Sequence, residues 1–309
     1  MLVLVKEYNV EKDDSIFIKA RFFLEKLNYC IKKEEQRQYT IYEIPKITKK
    51  KTIIQQKKEQ KRAKKLLKKL KKENQTQVIF SKELQQNESL KNMLYANNIA
   101  ILTGRRLMKY LSIPILEYVM EKMQTKLQLQ KVSILVNENS SLNLEILGLL
   151  AQNVKSMNII SNNVAKFKRL EKQLYEKLGM MITVSNNKKR SLMKSDIILN
   201  LDFPPELVWQ YQIKKEAILI NIEYPVILKA KSFKGIIINH YEIAQKEEKE
   251  NPEFDTKLLY EAKLGKQSNL IAALQQIKKD GVNIKWVIGR NGVLTEQEFK
   301  NHQKVTVNT

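Results

Sequence analysis

The sequence predicts an α/β protein with a doubly wound parallel sheet in its C-terminal half and a smaller basic α/β domain before it. Three observations lead to this fold class. From Lys131 onward, short apolar runs of strand length alternate with amphipathic stretches of helix length. Apolar residues make up 43% of the 309 residues, which is enough for two ordinary cores. The chain has 56 Lys and Arg against 33 Asp and Glu, and this excess is concentrated in its first half.

The first half contains two α/β segments. Residues 1–45 have a β-α-β pattern: an apolar run at Leu2–Tyr8, helical periodicity over Ser15–Leu27 and an alternating run at Tyr39–Ile44 that is typical of an edge strand. Residues 76–130 continue the alternation of strands and helices without a recognisable catalytic motif. Because helices separate the strands, we expect parallel pairing.

A lysine-rich stretch joins these two segments, and we interpret residues 46–75 as a helix or linker. Residues 46–72 contain fourteen Lys or Arg and one acid, Glu59. A phosphate-backbone surface, a solvated linker helix and an anionic-membrane surface all fit this composition. The apolar seam of the predicted helix is formed by Ala63, Leu66, Leu67 and Leu70, and the candidate nucleic-acid-binding residues are Lys64, Lys65, Lys68 and Lys69.

Residues 131–245 show the clearest alternation of strands and helices. We expect six parallel strands in one sheet, because right-handed crossovers then place helices on both faces. The six runs are Val132–Val136, Met157–Ile160, Met181–Val184, Ser195–Leu201, Ala217–Ile222 and Gly235–Asn239. Residues 246–309 are predicted to form a helical extension with one strand.

Three segments of this predicted sheet resemble a known domain. They are Ile159–Asn163, Ser195–Pro204 and Ala217–Pro225. Their order resembles that of the Rossmann-like NAD(P)-binding domain of shikimate dehydrogenases and glutamyl-tRNA reductases. In those families the fourth strand is an Asp-Ile-Val-Ile run that ends near a proline beside the nicotinamide. The resemblance therefore implies a dinucleotide at the carboxyl edge of the sheet and a hydride-transfer activity.

The phosphate loop departs from that family pattern. A Gly-x-Gly-x-x-Gly/Ala loop follows the first strand in those families, where glycines let the backbone approach the pyrophosphate. The corresponding segment here, Asn137–Asn143, has no glycine and carries Glu138. Ser140, Ser141 and the first amides of the next helix form either an anion site or only a helix cap. We therefore predict a degenerate phosphate loop.

The tip of the second strand carries Asn162, Asn163 and Lys166 and no carboxylate. An acidic residue there would accept the ribose hydroxyls of NAD, whereas a basic one suits the phosphate of NADP. We expect no cofactor, or NADP if a dinucleotide binds. The alternative interpretation of Asn162 and Asn163 is that they only form a turn. Asp202, just beyond the fourth strand, is either a ligand-facing carboxylate or the cap of a helix that begins near Pro204.

Groups for catalysis and metal binding are scarce. One Cys and two His exclude a disulfide framework and a Cys- or His-rich metal centre, so no metal is expected. The resemblance to glutamyl-tRNA reductases implies a Cys nucleophile, but Cys30 lacks that family's surrounding motif and is interpreted as a buried or incidental thiol. His240 ends the sixth strand, where a general base and a structural histidine both fit. The sequence assigns no catalytic residue.

Three hypotheses about function follow from these observations. The first is a cytoplasmic, non-catalytic or regulatory binding protein with a degenerate Rossmann-like domain. The second is an NADP-dependent oxidoreductase of the shikimate dehydrogenase or glutamyl-tRNA reductase type, and the third is a nucleic-acid-associated factor that uses residues 46–72. No apolar run approaches the roughly 20 residues of a membrane span, and the early charge argues against a secretory signal. A protein partner or a homo-oligomer is consistent with all three.

Overall fold

The computed structural model describes residues 2–8, 31–36, 39–46, 53–228, 233–246, 251–265, 267 and 269–307. The chain divides into two compact units. Unit 1 comprises Met1–Gly104 and Lys249–Gly265, and unit 2 comprises Arg105–Glu248 and Lys266–Thr309. This division differs from the five sequence segments, because strands of the first and third segments share one sheet and the last segment contributes to both units.

Unit 1 is built on a five-stranded sheet. Its strands are β1 (Leu2–Tyr8), β2 (Lys32–Glu35), β3 (Tyr39–Pro45), β4 (Gln77–Phe80) and β5 (Ala100–Ile101). Their order is β2-β3-β1-β4-β5, and neighbours pair in parallel except that β2 is antiparallel to β3.

The prediction that Tyr39–Ile44 forms an edge strand was wrong. The strand β3 lies between β1 and β2, and its residues Tyr42 and Ile44 are fully buried. The strand at the edge is β2, whose Lys-Lys-Glu-Glu sequence has no apolar residue to signal it. The helix expected over Ser15–Leu27 lies outside the described residues.

Helices pack against both faces of this sheet because successive strand residues point to opposite sides. On one face, Val3 and Val5 share a cluster with residues of α1 (Ile53–Lys72) and α2 (Glu88–Tyr95). On the other face, Leu4 packs with Phe254 and with Leu258 of a helix over Thr256–Leu264. That last helix falls within residues 246–309, which were predicted to be mainly helical.

The helix α1 is anchored to the sheet by its apolar seam and by one buried ion pair. Leu66 and Leu70 are fully buried. The Arg62 guanidinium lies 2.8 Å from the Glu7 carboxylate, and the two side chains are only 2% and 13% exposed. The same guanidinium donates to the carbonyl of Pro45 at 2.8 Å. The basic helix is therefore a packed part of unit 1.

We predict that Glu7→Gln destabilises unit 1 by about 3–5 kcal/mol, because it leaves the buried Arg62 cation without its counter-charge. Chemical denaturation measures this loss. Glu43→Gln is the control, because Glu43 is 22% exposed and its partner Lys6 also pairs with Glu253. The control should cost no more than about 1 kcal/mol, and equal losses in both variants would contradict the anchoring role of Arg62.

Unit 2 contains a six-stranded parallel sheet with the Rossmann strand order. Its strands are β6 (Val132–Leu135), β7 (Met157–Ile160), β8 (Ile182–Ser185), β9 (Ile197–Asn200), β10 (Ile218–Asn221) and β11 (Ile236–Ile238). Their order is β8-β7-β6-β9-β10-β11, so two halves run outward from the first strand in opposite directions. The predicted Rossmann-like α/β fold is confirmed, and each strand end differs from the prediction by two residues or fewer.

The remaining elements are labelled in chain order. The helices are α3 (Arg105–Tyr110), α4 (Ser112–Lys122), α5 (Ser141–Asn153), α6 (Ala165–Leu178), α7 (Lys188–Leu192), α8 (Pro205–Val208), α9 (Thr256–Leu264, in unit 1), α10 (Leu270–Lys279) and α11 (Glu296–Val307). The strand expected near the C-terminus is β13 (Asn283–Ile288), which pairs antiparallel with β12 (His240–Ala244). No helix in the described ranges has both the length and the apolarity needed to cross a membrane.

We predict that Ile198→Ala destabilises unit 2 by about 2–5 kcal/mol, because it removes buried apolar atoms and leaves a cavity. Ile198 is fully buried in β9, between β6 and β10. Ile271→Ala makes the same chemical change on α10 at a side chain that is 55% exposed, and it should cost less than about 1 kcal/mol. Chemical denaturation compares the two, and a near-neutral Ile198→Ala would contradict the central place of β9.

Candidate functional site

The candidate site lies at the carboxyl edge of the six-stranded sheet, the edge at which sheets of this order bind ligands. The loop between β6 and α5 is at its centre, because β6 is the strand at which the order reverses. The neighbouring strands β7 and β9 end on either side of this loop.

The carboxylate of Asp202 is hydrogen-bonded to the backbone amides of this loop. It accepts hydrogen bonds from the amides of Asn137 and Glu138, each at 2.7 Å, and a longer one from the Asn143 side chain at 3.4 Å. Burial raises the pKa of the Asp202 carboxyl above its ordinary value, although the two amide bonds and the charge of Lys109 act in the opposite direction. Asp202 does not cap α8, because the N-cap residue of that helix is Pro204 and no side chain forms a cap hydrogen bond there.

The two serines of the loop differ in role. The Ser140 hydroxyl accepts the Asn143 amide at 3.3 Å and so caps α5. The fully buried Asn143 side chain donates in turn to the carbonyl of Glu138 at 2.9 Å. Ser141, the first residue of α5, is exposed. The loop therefore makes several of its hydrogen bonds internally, although the buried side-chain oxygen of Asn143 has no hydrogen-bond partner among the described residues. The cap interpretation describes Ser140.

The tip of β7 is tied to the same loop. The side-chain oxygen of Asn137 accepts the amide of Asn162 at 2.9 Å. The Ser161 hydroxyl accepts the amide of Asn163 at 3.1 Å, which forms the turn into α6. Lys166 is exposed on the first turn of α6. Four of the predicted cofactor-binding residues thus take part in one local network with Asp202, and Lys166 lies at its margin. The four are Asn137, Ser140, Asn162 and Asn163.

Sequence reasoning missed a ladder of three buried asparagines at the ends of β9, β10 and β11. Asn200 donates to the side-chain oxygen of Asn221 at 3.1 Å, and Asn221 donates to that of Asn239 at 3.0 Å. Asn239 also exchanges two hydrogen bonds with the backbone of Val226. A signal was present, because each asparagine directly follows three apolar residues in Ile-Ile-Leu-Asn, Ile-Leu-Ile-Asn and Ile-Ile-Ile-Asn.

The first asparagine of this ladder fixes the turn that carries Asp202. The Asn200 side chain accepts the amide of Phe203 at 2.9 Å and donates to the carbonyl of Phe203 at 3.0 Å. Both bonds span Asp202, and Asn200 and Phe203 are buried. The position of the Asp202 carboxylate is therefore preorganised by the end of β9.

We predict that Asn221→Ala costs about 2–4 kcal/mol of stability, because it removes two buried hydrogen bonds worth about 1 kcal/mol each and leaves a cavity. Asn283→Ala, at an exposed asparagine of β13, is the matched control and should change stability by less than about 0.5 kcal/mol. Thermal and chemical denaturation measure both. An Asn221→Ala variant as stable as the control would show that the ladder does not stabilise this edge.

Two cations of α3 lie over the ends of β10 and β11. The Arg105 guanidinium donates to the carbonyls of Ile222 at 3.0 Å and Asn239 at 2.8 Å, and it lies 3.2 Å from Nδ1 of His240. Because a guanidinium only donates, Nδ1 accepts and the ring hydrogen lies on Nε2. His240 is therefore engaged as an acceptor for Arg105, which disfavours its interpretation as a general base.

The second cation forms an ion pair at the end of β10. Lys109 lies one helical turn after Arg105, and its amine is 2.7 Å from the Glu223 carboxylate. The Lys109 side chain is only 14% exposed. The sequence analysis did not identify Arg105, Lys109 or Glu223. The available signal was the spacing of Arg105 and Lys109, which at i and i+4 lie on the same face of a helix.

The remaining predicted groups lie elsewhere. Cys30 is outside the described residues. On α1 of unit 1, Lys64, Lys65 and Lys68 are exposed, whereas Lys69 donates its amine to the carbonyl of Ile31 at 2.7 Å. In the described part of the chain, no group of three His, Cys, Asp or Glu residues could hold a metal ion.

A cavity of about 340 Å³ lies in unit 2, but it does not adjoin the phosphate loop. It lies beside β11, and its lining includes Phe233, Lys234, Arg290 and His302. Neither the loop after β6 nor Asp202 contributes to it. The cavity is therefore separate from the candidate site.

Comparisons with known proteins add little to this geometry. No protein-family model and no curated protein matches the sequence. Among solved structures, the chain is similar to L-tryptophan dehydrogenase from Nostoc punctiforme, at 9% identity over 99% of this chain and 88% of that one, with a TM-score of 0.36. It is also similar to a chorismate mutase/shikimate 5-dehydrogenase fusion protein from Clostridium acetobutylicum, at 10% identity over 99% and 96% of the two chains, with a TM-score of 0.22.

A third similar structure is Delta(1)-pyrroline-2-carboxylate reductase from Thermococcus litoralis in complex with NADH and L-proline. The identity is 14% and the TM-score 0.25, and the match covers 38% of this chain and only 36% of that one. Likenesses this weak carry no argument about activity. The Rossmann-like assignment rests on the strand order of unit 2.

Proposed function

We propose that this protein is a non-catalytic or regulatory binding protein whose Rossmann-like unit does not take a dinucleotide in the usual way. The observation that carries the proposal is the pair of 2.7 Å hydrogen bonds from the loop amides to Asp202. In a dinucleotide-binding sheet those amides lie where the pyrophosphate binds. Here a carboxylate of the same chain takes that position.

Electrostatics disfavours displacement of this carboxylate by a pyrophosphate. An incoming phosphate would meet the charges of Asp202 and Glu138. With an effective dielectric constant of about 20, two like charges about 4 Å apart repel by about 4 kcal/mol. That repulsion corresponds to about a thousandfold loss of affinity. The glycine-free backbone adds a steric obstacle to close approach.

The alternative function is an NADP-dependent oxidoreductase of the shikimate dehydrogenase or glutamyl-tRNA reductase type. The tip of β7 favours NADP over NAD, because Asn162, Asn163 and the exposed Lys166 present no carboxylate to a ribose. The hydrogen bond between Arg105 and His240 weighs against this alternative, because it engages the histidine that the sequence offered as a general base.

We predict that the wild-type protein binds NADPH weakly or not at all in a fluorescence titration. The double variant Asp202→Ala with Glu138→Gly should bind at least tenfold more tightly, because it frees two amides and removes two carboxylates. Glu206→Gln, at an exposed acid in the first turn of α8, is the control for loss of charge alone and should leave binding unchanged. Circular dichroism verifies that the variants are folded.

Two outcomes would overturn the proposal. Micromolar affinity of the wild type for NADPH would revive the oxidoreductase alternative. An equal gain in affinity from Glu206→Gln would mean that total charge, and not the occupied loop, limits binding.

A further inference from the structure

The solvent-facing side of α1 carries a straight row of lysines. Their spacing is four, three, four and four residues, so at about 100° per residue they fall within an arc of about 80° and extend over about 22 Å of the helix. All five side chains are exposed: Lys57, Lys61, Lys64, Lys68 and Lys72.

The direction of this row is fixed by the packed face of the helix. Arg62, Ala63, Leu66 and Leu70 are buried against the sheet of unit 1, and their mean direction is about 180° from that of the row. The helix therefore cannot turn about its axis without unpacking unit 1. The row is a rigid array of charge and not a set of lysines on a free linker.

The five lysines have no carboxylate partner among the residues that the structure describes. Within the described ranges, none of them forms an ion pair, whereas Arg62 on the packed face pairs with Glu7. Other lysines of the helix are engaged: Lys69 donates to the carbonyl of Ile31, and Lys71 donates to the side chain of Asn97 at 2.8 Å. The row thus concentrates the unpaired charge of α1 on one line.

We propose that this lysine row binds the phosphate backbone of duplex nucleic acid without reading its base sequence. Ammonium groups on phosphates release condensed counterions, and this release is favourable and independent of sequence. The row consists of lysines alone, which bind phosphates as point charges, and it has none of the Asn, Gln or Arg side chains that recognise bases with two hydrogen bonds. The surface lies in unit 1 and does not depend on the function proposed for Asp202.

Two other polyanions fit the helix less well. A single strand would need aromatic side chains for base stacking, and residues 53–72 contain none. An anionic membrane is bound by a helix that inserts its apolar face, but here Leu66 and Leu70 are already buried in the core of unit 1. Duplex nucleic acid is bound through its outer phosphates alone, which suits a polar row on a packed helix.

The test measures binding of the full chain to a fluorescent duplex of mixed sequence by anisotropy across a salt series. The logarithm of affinity should fall with the logarithm of salt by about 0.9 per phosphate contacted. The row variant replaces four lysines by Gln, which retains helix propensity, and should reduce that slope by up to about 3.6. Its substitutions are Lys61→Gln, Lys64→Gln, Lys68→Gln and Lys72→Gln.

A matched control removes the same total charge from exposed lysines of unit 2 and should leave the slope unchanged. Its substitutions are Lys126→Gln, Lys155→Gln, Lys177→Gln and Lys189→Gln. Replacing the four row lysines by Arg should restore binding, because phosphate contacts need only the charge. Lys69 is left intact in every variant because its contact with Ile31 belongs to the packing of unit 1.

Three results would overturn the proposal. The first is no binding by the wild type at about 50 mM salt, where phosphate contacts are strong. The second is an equal loss of slope in the row variant and the unit 2 control, which would assign binding to overall charge. The third is row-dependent binding to phosphatidylserine vesicles without binding to the duplex, which would assign the row to a membrane surface.

Discussion

The backbone amides of Asn137 and Glu138 lie just beyond the end of the central strand β6. The carboxylate of Asp202, just beyond the end of the adjacent strand β9, accepts a hydrogen bond from each of them. The turn that carries Asp202 is itself held by Asn200, and the loop is tied to β7 through the amide of Asn162. One set of side-chain bonds therefore fixes the ends of three neighbouring strands. At this part of the carboxyl edge, a carboxylate of the chain itself accepts the loop amides that an open phosphate cradle would present.

The two units differ in the sign of the charge that they would present to a phosphate. At the edge of unit 2, the Asp202 carboxylate accepts the loop amides where a Rossmann fold ordinarily binds phosphate, and Glu138 adds a second acid to that loop. In unit 1, α1 buries Leu66 and Leu70 and turns its lysine row to solvent. An acidic loop repels phosphates, whereas a basic row attracts them. This contrast supports the proposal that phosphates bind to the lysine row of unit 1.

The order of the first five strands of the six-stranded sheet is predictable because each is a short apolar run and a helix separates it from the next along the chain. The strand β2 is not predictable, since its Lys-Lys-Glu-Glu sequence has no periodic apolar signal and depends on pairing with β3. The glycine-free loop is visible in the sequence, but its partner is not. Asn137 and Asp202 are 65 residues apart, and they meet only because β6 and β9 pair in a particular register. The helix α9 likewise depends on the distant residue Leu4.

Amide NMR of selectively ¹⁵N-labelled protein is the most direct test of the hydrogen bonds between the Asp202 carboxylate and the loop amides. The amide signals of Asn137 and Glu138 should shift together as pH falls through the pKa of Asp202, because protonation weakens both hydrogen bonds. That common transition should be missing in Asp202→Asn, and neither signal of the wild type should move on addition of NADPH. Amides that do not titrate with Asp202, or that shift when NADPH is added, would contradict the claim.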